Sequence, residues 1–283
     1  MKNLSKIWIS LLILLVVGTV GYIYHKYHFS VPKIIPELQL HGLKDQIIAK
    51  QLPKHVAIMM DGNGRWATRQ GKPRVFGHMN GLQGIEEAIA GCIELGIPYL
   101  TLWAFSTENW ERSQEEIDFL MQLMKRTIPD KLPELVKNNV KLQVIGDLAR
   151  LPADCRAEIK KAVKATKENT GLHLTVGISY SGKWDILQAV KAIAKDIETG
   201  KVKSNSINPQ LFEQYLSTRG LPDPDLVIRP GGEMRVSNFM LWQLAYTEIF
   251  PIHKYWPDFR KIDLFQAVIA YQERDRRFGK VAN

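Results

Sequence analysis

The chain has 283 residues, of which 45% are hydrophobic and 24% charged, so it can bury a core and is not an intrinsically disordered protein. Its formal net charge of +9 favours anionic partners such as lipid headgroups or phosphorylated substrates. No basic run interleaved with aromatic residues is present, so we expect no nucleic-acid partner. Cys92 and Cys155 lie far apart without metal-ligand spacing, which argues against a disulfide scaffold.

The N-terminal segment predicts a membrane anchor. Residues 7–24 carry no charge, and a helix of that length spans about 27 Å, close to the hydrocarbon thickness of a bilayer. A cleaved signal peptide is the alternative, because Lys2 and Lys6 precede the apolar run. The run is longer than a usual signal-peptide core, which favours an uncleaved transmembrane helix. We expect an anchor over residues 1–24, a linker over residues 25–52 and a globular domain over residues 53–283.

The lysines around this segment predict its orientation. Five lysines lie between residues 25 and 54, whereas two precede the apolar run. The positive-inside rule therefore places the globular domain in the cytoplasm, as part of a single-pass membrane protein.

Strand-like and helix-like segments alternate along the rest of the chain. Apolar runs predict strands at residues 56–60, 99–105, 140–145, 172–180, 225–228 and 245–250. Helical periodicity, a capping box at Ser113 and Glu116, and a Pro209 start signal predict helices at residues 82–95, 113 to beyond 124, 130–138, 152–167, 184–197, 208–216 and 261–278. This alternation predicts a single α/β domain with a mostly parallel sheet of about six strands flanked by helices, preceded by the transmembrane helix.

The first predicted strand leads into a glycine-rich turn. Residues 55–67 read HVAIMMDGNGRWA, so an apolar run ends at Asp61 and is followed by Gly62, Asn63, Gly64 and Arg65. Ligands of open α/β sheets bind outside the carboxyl ends of the strands. Glycines let the backbone approach a ligand closely, an arginine suits phosphate oxygens, and an aspartate can hold a divalent cation. The turn therefore predicts a diphosphate site with Mg²⁺.

Two other interpretations of this turn stay open. Gly62 and Gly64, followed by Ala67, also fit a dinucleotide-binding fingerprint, although Glu86 and Glu87 lie in a helical pattern and not at the end of a second strand. In the simplest alternative, Asp61 merely caps the following helix.

Two further polar loops follow predicted strands. Residues 106–112 read STENWER, and residues 229–237 read RPGGEMRVS. Arg229, Arg235 and Ser237 resemble a second anion site beside two glycines. Two anion sites at one sheet edge predict two phosphorylated substrates.

Several long motifs together resemble one family. HVAIMMDGNGRWA, LWAFSTENWERS, GLPDPDLVIRPGGEMRVSNFMLWQLAYTEIF and YQERDRRFG are similar to motifs of the cis-prenyltransferases, over roughly residues 52–280. The resemblance implies a dimeric, mainly parallel α/β fold that condenses isopentenyl diphosphate with an allylic prenyl diphosphate. The product would be a polyprenyl diphosphate with cis double bonds that grows into an apolar tunnel. The small Ala104 leaves room for such a tunnel if it faces inward.

The resemblance also implies roles for individual residues. Asp61 and Asn109 would be catalytic, Asn109 as a proton acceptor, and Asp61 and Glu248 would hold Mg²⁺. The residues implied to bind substrate are Gly62, Asn63, Gly64, Arg65, Trp66, Arg74, His78, Ser106, Thr107, Glu108, Trp110, Arg112, Arg229, Arg235, Val236 and Ser237.

The motifs depart from the family pattern at a few positions. Pro230 replaces a usual threonine or serine, Met234 replaces a histidine of some bacterial members, and SYSG at residues 179–182 replaces NYGG. A non-catalytic, membrane-anchored accessory subunit of a heteromeric enzyme is the alternative function. Retention of the aspartate and arginines of the diphosphate motifs favours catalysis.

Overall fold

The computed structural model of the protein describes residues 40–276. Within them, one sheet has the strand order β3-β4-β2-β1-β5-β6, and every neighbouring pair is parallel. Its strands are β1 (His55–Met59), β2 (Tyr99–Ser106), β3 (Lys141–Ile145), β4 (His173–Tyr180), β5 (Leu226–Pro230) and β6 (Glu248–Ile252).

Helices connect the strands and cover the sheet. They are α1 (Asn63–Arg69), α2 (Arg74–Asn80), α3 (Leu82–Leu95), α4 (Gln114–Lys137), α5 (Ala153–Ala165), α6 (Gly182–Glu198), α7 (Pro209–Glu213) and α8 (Lys261–Gln272). All residues of the central strands β1 and β5 are buried, which is the pattern of parallel strands covered on both faces. The prediction of a single α/β domain with about six mostly parallel strands is therefore confirmed.

Some element boundaries differ from the sequence-based prediction. The two helices predicted on either side of residue 129 are one continuous helix, α4, with Pro129 and Pro133 inside it. Burial of Ile117, Leu120 and Met121 in the first half of α4 anchors this helix to the core, so packing outweighs the proline penalty of about 3 kcal/mol each. The segment between the glycine-rich turn and α3 forms the short helices α1 and α2, which periodicity did not predict.

β6 begins at Glu248, three residues later than residue 245 of the prediction. The Thr247 hydroxyl donates to the Pro224 carbonyl at 2.7 Å, and the Glu248 N–H donates to the Asp225 carbonyl at 3.0 Å. Pairing with the chain before β5 therefore decides where β6 starts.

The predicted anchor over residues 1–24 lies outside the described residues, as do residues 25–39 of the linker and residues 277–283. No helix within residues 40–276 has the length and apolar character needed to cross a bilayer. The chain divides into two units after Lys44, and the second, Asp45–Asn283, contains the sheet. The predicted limits at residues 24 and 52 stay predictions.

The register of the sheet brings three loops together. Ile58 of β1 pairs with Ile228 of β5, and Met59 pairs with Trp103 of β2. Parallel strands end at the same edge, so the chain leaves β1, β2 and β5 side by side. Their following loops are the three polar loops identified in the sequence.

A buried histidine lies at the opposite, amino end of β1. His55 contacts the Pro222 carbonyl through Nδ1 and the Thr101 hydroxyl through Nε2, both at 2.7 Å. Burial lowers the pKa of His55 from 6.5 to about 4. The folded state therefore holds His55 neutral over a pH range in which the unfolded chain protonates it.

This predicts a loss of stability on acidification. Because the unfolded chain binds the proton more tightly, the free energy of unfolding should fall between about pH 6.5 and pH 4, by up to about 3 kcal/mol from His55 alone. Urea denaturation at pH 7 and pH 4.5 measures the change. In a His55→Gln variant, the free energy of unfolding should fall less between these two pH values. An equal fall in the variant and the wild type would contradict the role of His55.

Candidate active site

The three strand-end loops line one cleft of about 480 Å³ at the carboxyl edge of the sheet. β1, β2 and β5 are neighbours in the sheet, so their loops meet without a long connection. The predicted site residues that line the cleft are Asp61, Gly62, Asn63, Gly64, Arg65, Arg74, His78, Ser106, Glu108, Asn109, Arg112, Arg229 and Ser237. Most of the predicted set is thus brought together.

An aspartate between two arginines lies at the centre of the cleft. Arg229 donates from Nη2 to Oδ2 of Asp61 at 2.9 Å, and Arg65 Nη2 lies 3.1 Å from Oδ1. The Arg229 side chain is 5% exposed, whereas that of Asp61 is 32% exposed. A buried guanidinium needs an anionic partner, so Asp61 is held by charge and still faces the cleft.

Arg229 also organises the loop after β5. Its Nη1 donates to the Ser237 hydroxyl at 2.9 Å and to the Arg235 carbonyl. Glu233 then joins two arginines, because Oε1 accepts from Arg65 at 2.8 Å and Oε2 accepts from Arg235 at 2.6 Å. The sequence analysis did not single out Glu233, although it lies between the predicted glycines and Arg235.

Two glycines, which have no Cβ atom, allow arginine side chains to approach the turns closely. A Cβ atom on Gly64 would lie 2.6 Å from Nη1 of Arg74, and a Cβ atom on Gly231 would lie 2.7 Å from Nη2 of Arg65. Gly231 also has a φ of +97°, which disfavours other residues. The glycines of both motifs therefore make room for guanidinium groups.

The two open interpretations of the first turn do not fit this geometry. Gly62, with a φ of 97°, is the N-cap of α1, and no side chain caps the helix, so Asp61 is not a helix cap. Glu86 and Glu87 lie within α3 and not at a strand end, where a dinucleotide-binding acid is required.

Two arginines and a histidine surround Glu116 on the other side of the cleft. Its carboxylate accepts from Nε of Arg74 at 3.1 Å and from Nη1 of Arg112 at 2.9 Å, and Nε2 of His78 lies 3.3 Å away. Burial alone would raise the pKa of Glu116, but Arg112, Arg74 and His78 outweigh it and lower the pKa. Glu116 is therefore an ionised carboxylate beneath two arginines.

The sequence suggested only a capping role for Glu116. Its N–H does donate to the Ser113 hydroxyl at 3.3 Å, so the helix start was predicted correctly. Its position one turn before Leu120, on the buried face of α4, could have indicated a cationic partner, because a buried glutamate is rarely unpaired.

His78 lies between this cluster and the cleft. Burial, and then the nearby Arg112, lower its pKa, while Glu116 partly opposes the shift. The imidazole is thus neutral near pH 7 and can donate a hydrogen bond from one ring nitrogen.

The loop after β2 is held by its own hydrogen bonds. Asn109 Oδ1 accepts from the Ser106 N–H at 3.1 Å, as part of a capping box. The Thr107 hydroxyl donates to Ser181 at 2.8 Å, and Trp110 donates to the Ser179 hydroxyl at 2.9 Å. The serines that depart from the family pattern therefore hold this loop, and the role of Asn109 as proton acceptor stays a prediction.

Several predicted site residues do not line the cleft. Trp66 stacks on Phe76 at 5.9 Å, and Val236 packs against the core near β1. The others outside the cleft lining are Thr107, Trp110, Arg235 and Glu248.

Glu248 lies far from Asp61 within one chain. It starts β6 and pairs with Leu226, which in turn pairs with Val56 of β1. Asp61 is five positions after Val56, or roughly 16 Å further along an extended chain. Within one chain, Glu248 therefore lies at the opposite edge of the sheet from Asp61, because a residue at a strand start and a residue after a strand end lie at opposite edges. The role of Glu248 as a second metal-associated carboxylate stays a prediction. Among residues 40–276, no cluster of three or more histidine, cysteine or acidic side chains could hold a metal.

An apolar cavity of about 240 Å³ adjoins the cleft. The two cavities share the lining residues Met60, Asn63, His78, Ala104 and Phe105. Most of the cavity wall comes from apolar side chains of α3, α4 and the sheet, including Ile89, Leu123 and Val176. Ala104 therefore faces the space that the sequence analysis expected, and a charged cleft opens beside an apolar chamber.

Comparison with known proteins decides the family. The family model for undecaprenyl diphosphate synthase matches residues 59–279. An isoprenyl transferase of Geobacillus kaustophilus is 49% identical over 239 residues, which are 84% of this chain and 93% of the relative. The chain belongs to the undecaprenyl diphosphate synthase family of isoprenyl transferases.

Solved structures agree with this assignment. Lavandulyl diphosphate synthase from Lavandula x intermedia, in complex with dimethylallyl diphosphate, has a TM-score of 0.80 and 38% identity over 82% of this chain and 100% of that chain. A probable undecaprenyl diphosphate synthase from Campylobacter jejuni has a TM-score of 0.67 and 34% identity over 81% of this chain and 99% of its own. The chain is therefore a prenyl transferase that elongates isoprenyl chains with cis geometry.

The position of Ala104 predicts an effect on product length. Leucine at this position would narrow the passage between cleft and cavity, so Ala104→Leu should shorten the product by several isoprene units while the first condensation continues. Reverse-phase chromatography of radiolabelled products measures the chain length. Ala157→Leu, on the exposed face of α5, is the matched control. An unchanged product distribution would show that the chain does not pass Ala104.

Proposed function

We propose that this isoprenyl transferase uses Mg²⁺ to condense isopentenyl diphosphate with an allylic prenyl diphosphate, as a membrane-anchored homodimer. The observation that carries the reaction is Asp61 between two arginine clusters, beside an apolar cavity. Arg65, Arg74 and Arg112 lie on one side, and the buried Arg229 lies on the other.

The two clusters suit two diphosphate groups. We assign the allylic diphosphate to Arg65, Arg74, Arg112 and His78, because these side chains adjoin the apolar cavity through His78. Isopentenyl diphosphate is assigned to Arg229, Ser237 and Arg235. Each charge-assisted hydrogen bond contributes about 1.5–3 kcal/mol, so either cluster can anchor a diphosphate. The complex of lavandulyl diphosphate synthase with dimethylallyl diphosphate supports an allylic substrate.

The arrangement supports transfer by charge stabilisation. The allylic C–O bond breaks, and negative charge grows on the departing diphosphate, where fixed arginines stabilise it more than in the ground state. The new C–C bond forms with isopentenyl diphosphate, which then loses a proton. The Asn109 amide is a poor base and its oxygen is already hydrogen-bonded, so a diphosphate oxygen is the better proton acceptor.

Asp61 fits a magnesium ion that arrives with substrate. Its carboxylate is partly exposed to the cleft and contacts one arginine of each cluster, Arg65 and Arg229. Mg²⁺ commonly takes one or two carboxylates, substrate phosphates and waters, so one aspartate is sufficient. When bound, the ion would neutralise charge on the departing diphosphate.

An accessory, non-catalytic subunit remains the alternative function. Such a subunit would have no need for a buried Arg229 held against Asp61, or for glycines that make room for two arginines. These contacts favour a catalytic chain, and activity of the purified chain alone decides between the two.

Asp61→Ala should lower turnover by at least about two orders of magnitude, because several kcal/mol of charge stabilisation would be lost. The assay uses labelled isopentenyl diphosphate, Mg²⁺ and allylic primers of several lengths, with single-turnover and binding measurements alongside. Both substrates should still bind the variant, and EDTA should abolish wild-type activity. Asp130→Ala on α4, which is exposed and outside both cavities, is the control. Near-normal turnover of the Asp61 variant would refute this assignment.

Exposed apolar groups support a homodimer. β6 is an edge strand of the sheet, and its Ile249 is 39% exposed. Leu187 and Val190 of α6 are 56% and 49% exposed. A second copy of the chain would cover such groups.

The N-terminal sequence supports the membrane anchor and its orientation. The uncharged run over residues 7–24 supports the anchor, and the following lysines support a cytoplasmic catalytic domain.

Removing residues 1–24 tests the anchor and the dimer, and a protease assay on the full chain tests the orientation. The full chain should fractionate with membranes, and the shortened chain should be recovered without them and sediment as a dimer. Protease added to sealed cytoplasmic-side-out vesicles should digest the catalytic domain. Membrane association of the shortened chain would contradict the anchor, a monomeric mass would contradict the dimer, and protection would contradict the orientation.

A further inference from the structure

We propose that Glu116 is a positioning residue for the allylic diphosphate. Its buried carboxylate contacts Arg74, Arg112 and His78, so that the remaining N–H donors of the two arginines are available to the cleft before substrate arrives. The inference rests on the proposed role of these three side chains in diphosphate binding. Glu116 itself does not line the cleft, which separates it from residues that touch substrate.

Glu116 binds each arginine at a position that leaves other N–H donors of its guanidinium available. It accepts from Nε of Arg74 at 3.1 Å, which leaves both terminal nitrogens of that guanidinium. No protein acceptor meets those nitrogens in the part of the chain that the structure describes. They lie over α1, 2.6 and 2.8 Å from where a Gly64 Cβ would be. Glu116 therefore fixes the position of the Arg74 guanidinium through Nε, and its two terminal nitrogens remain able to bind an anion.

Arg112 and His78 share the other carboxylate oxygen. Oε1 lies 2.9 Å from Nη1 of Arg112 and 3.3 Å from Nε2 of His78. The three partners come from two elements, because Arg74 and His78 belong to α2 and Arg112 precedes α4. A single carboxylate thus connects α2 to the start of α4.

Electrostatics explains why an anion is required there. Arg74 and Arg112 repel each other: burial, and then the positive charge of Arg74, lower the pKa of Arg112, whereas Glu116 opposes this shift. The Glu116 side chain is 9% exposed and that of Arg112 is 29% exposed, so water screens this pair less than it screens the more exposed Arg74. Without the carboxylate, the two guanidinium groups would move apart in the free enzyme. Binding would then include the cost of gathering them.

The second anion cluster is independent of Glu116. Arg229 is held by Asp61, and Arg235 is held by Glu233. None of the hydrogen bonds of Glu116 reaches them. A change at Glu116 should therefore affect one substrate and spare the other, which a general loss of structure would not do.

The test replaces one glutamate and compares it with its neighbour. Glu116→Gln keeps the size but removes the charge, and should raise the KM for the allylic diphosphate about tenfold or more, because charge-assisted hydrogen bonds to Arg74 and Arg112 are weakened. The KM for isopentenyl diphosphate should change less than about twofold, since the second cluster is intact. Glu116→Asp should give an intermediate value. Glu115→Gln, exposed in the same helical turn, is the matched control and should behave like wild type.

Calorimetry with inorganic pyrophosphate makes the result independent of turnover. Weaker pyrophosphate binding by Glu116→Gln than by wild type supports the positioning role. Failure of the wild type to elongate isoprenyl chains would refute the proposed function, and the pyrophosphate measurement does not depend on it. An unchanged or tighter affinity would overturn the positioning role. If Glu116→Gln does not fold, the comparison of Glu116→Asp with wild type decides, and equal increases in both KM values would also overturn it.

Discussion

The ion pair between Asp61 and Arg229 is the constraint on which the site depends. Arg229 lies in the central strand β5, one residue before its end, and is almost fully buried, so its charge requires an anion within hydrogen-bonding distance. Asp61 follows the neighbouring strand β1 and meets it at 2.9 Å. Arg65 contacts the second oxygen of the same carboxylate, so both anion clusters are tied to Asp61. The parallel register of β1 and β5 makes this contact possible, because it brings two strand ends to the same edge.

Charge and apolar surface are kept apart but adjacent. Carboxylates hold the arginines at the carboxyl edge: Glu116 binds Arg74 and Arg112, and Glu233 joins Arg65 to Arg235. The apolar cavity opens next to them past Ala104 and Phe105. An isoprenyl diphosphate has the same division between a charged head and an apolar chain. The site therefore matches its substrate class in polarity and in order along the cleft.

Local signals in the sequence predicted most of the fold. α3 runs from Leu82 to Leu95 and ends at Gly96, whose φ of 72° suits glycine, as the periodicity indicated. The serine that caps α4 was also predicted. The length of α4 was not, since Pro129 and Pro133 are local stop signals that packing overrides. The start of β6 was missed because a contact with Pro224 and Asp225, distant in sequence, decides it.

The sequence by itself determined which residue types carry the chemistry, because Asp61, Arg65 and Arg229 lie beside glycines directly after apolar strands. Only the tertiary structure decided which carboxylate forms an ion pair with which arginine. Glu116 was interpreted as a helix cap yet lies beneath Arg74 and Arg112, and Glu248 was assigned to a metal yet begins a strand at the far edge. The physical reason is that ion pairs depend on which strand ends and helix faces meet in space, and spacing along the chain does not contain that information.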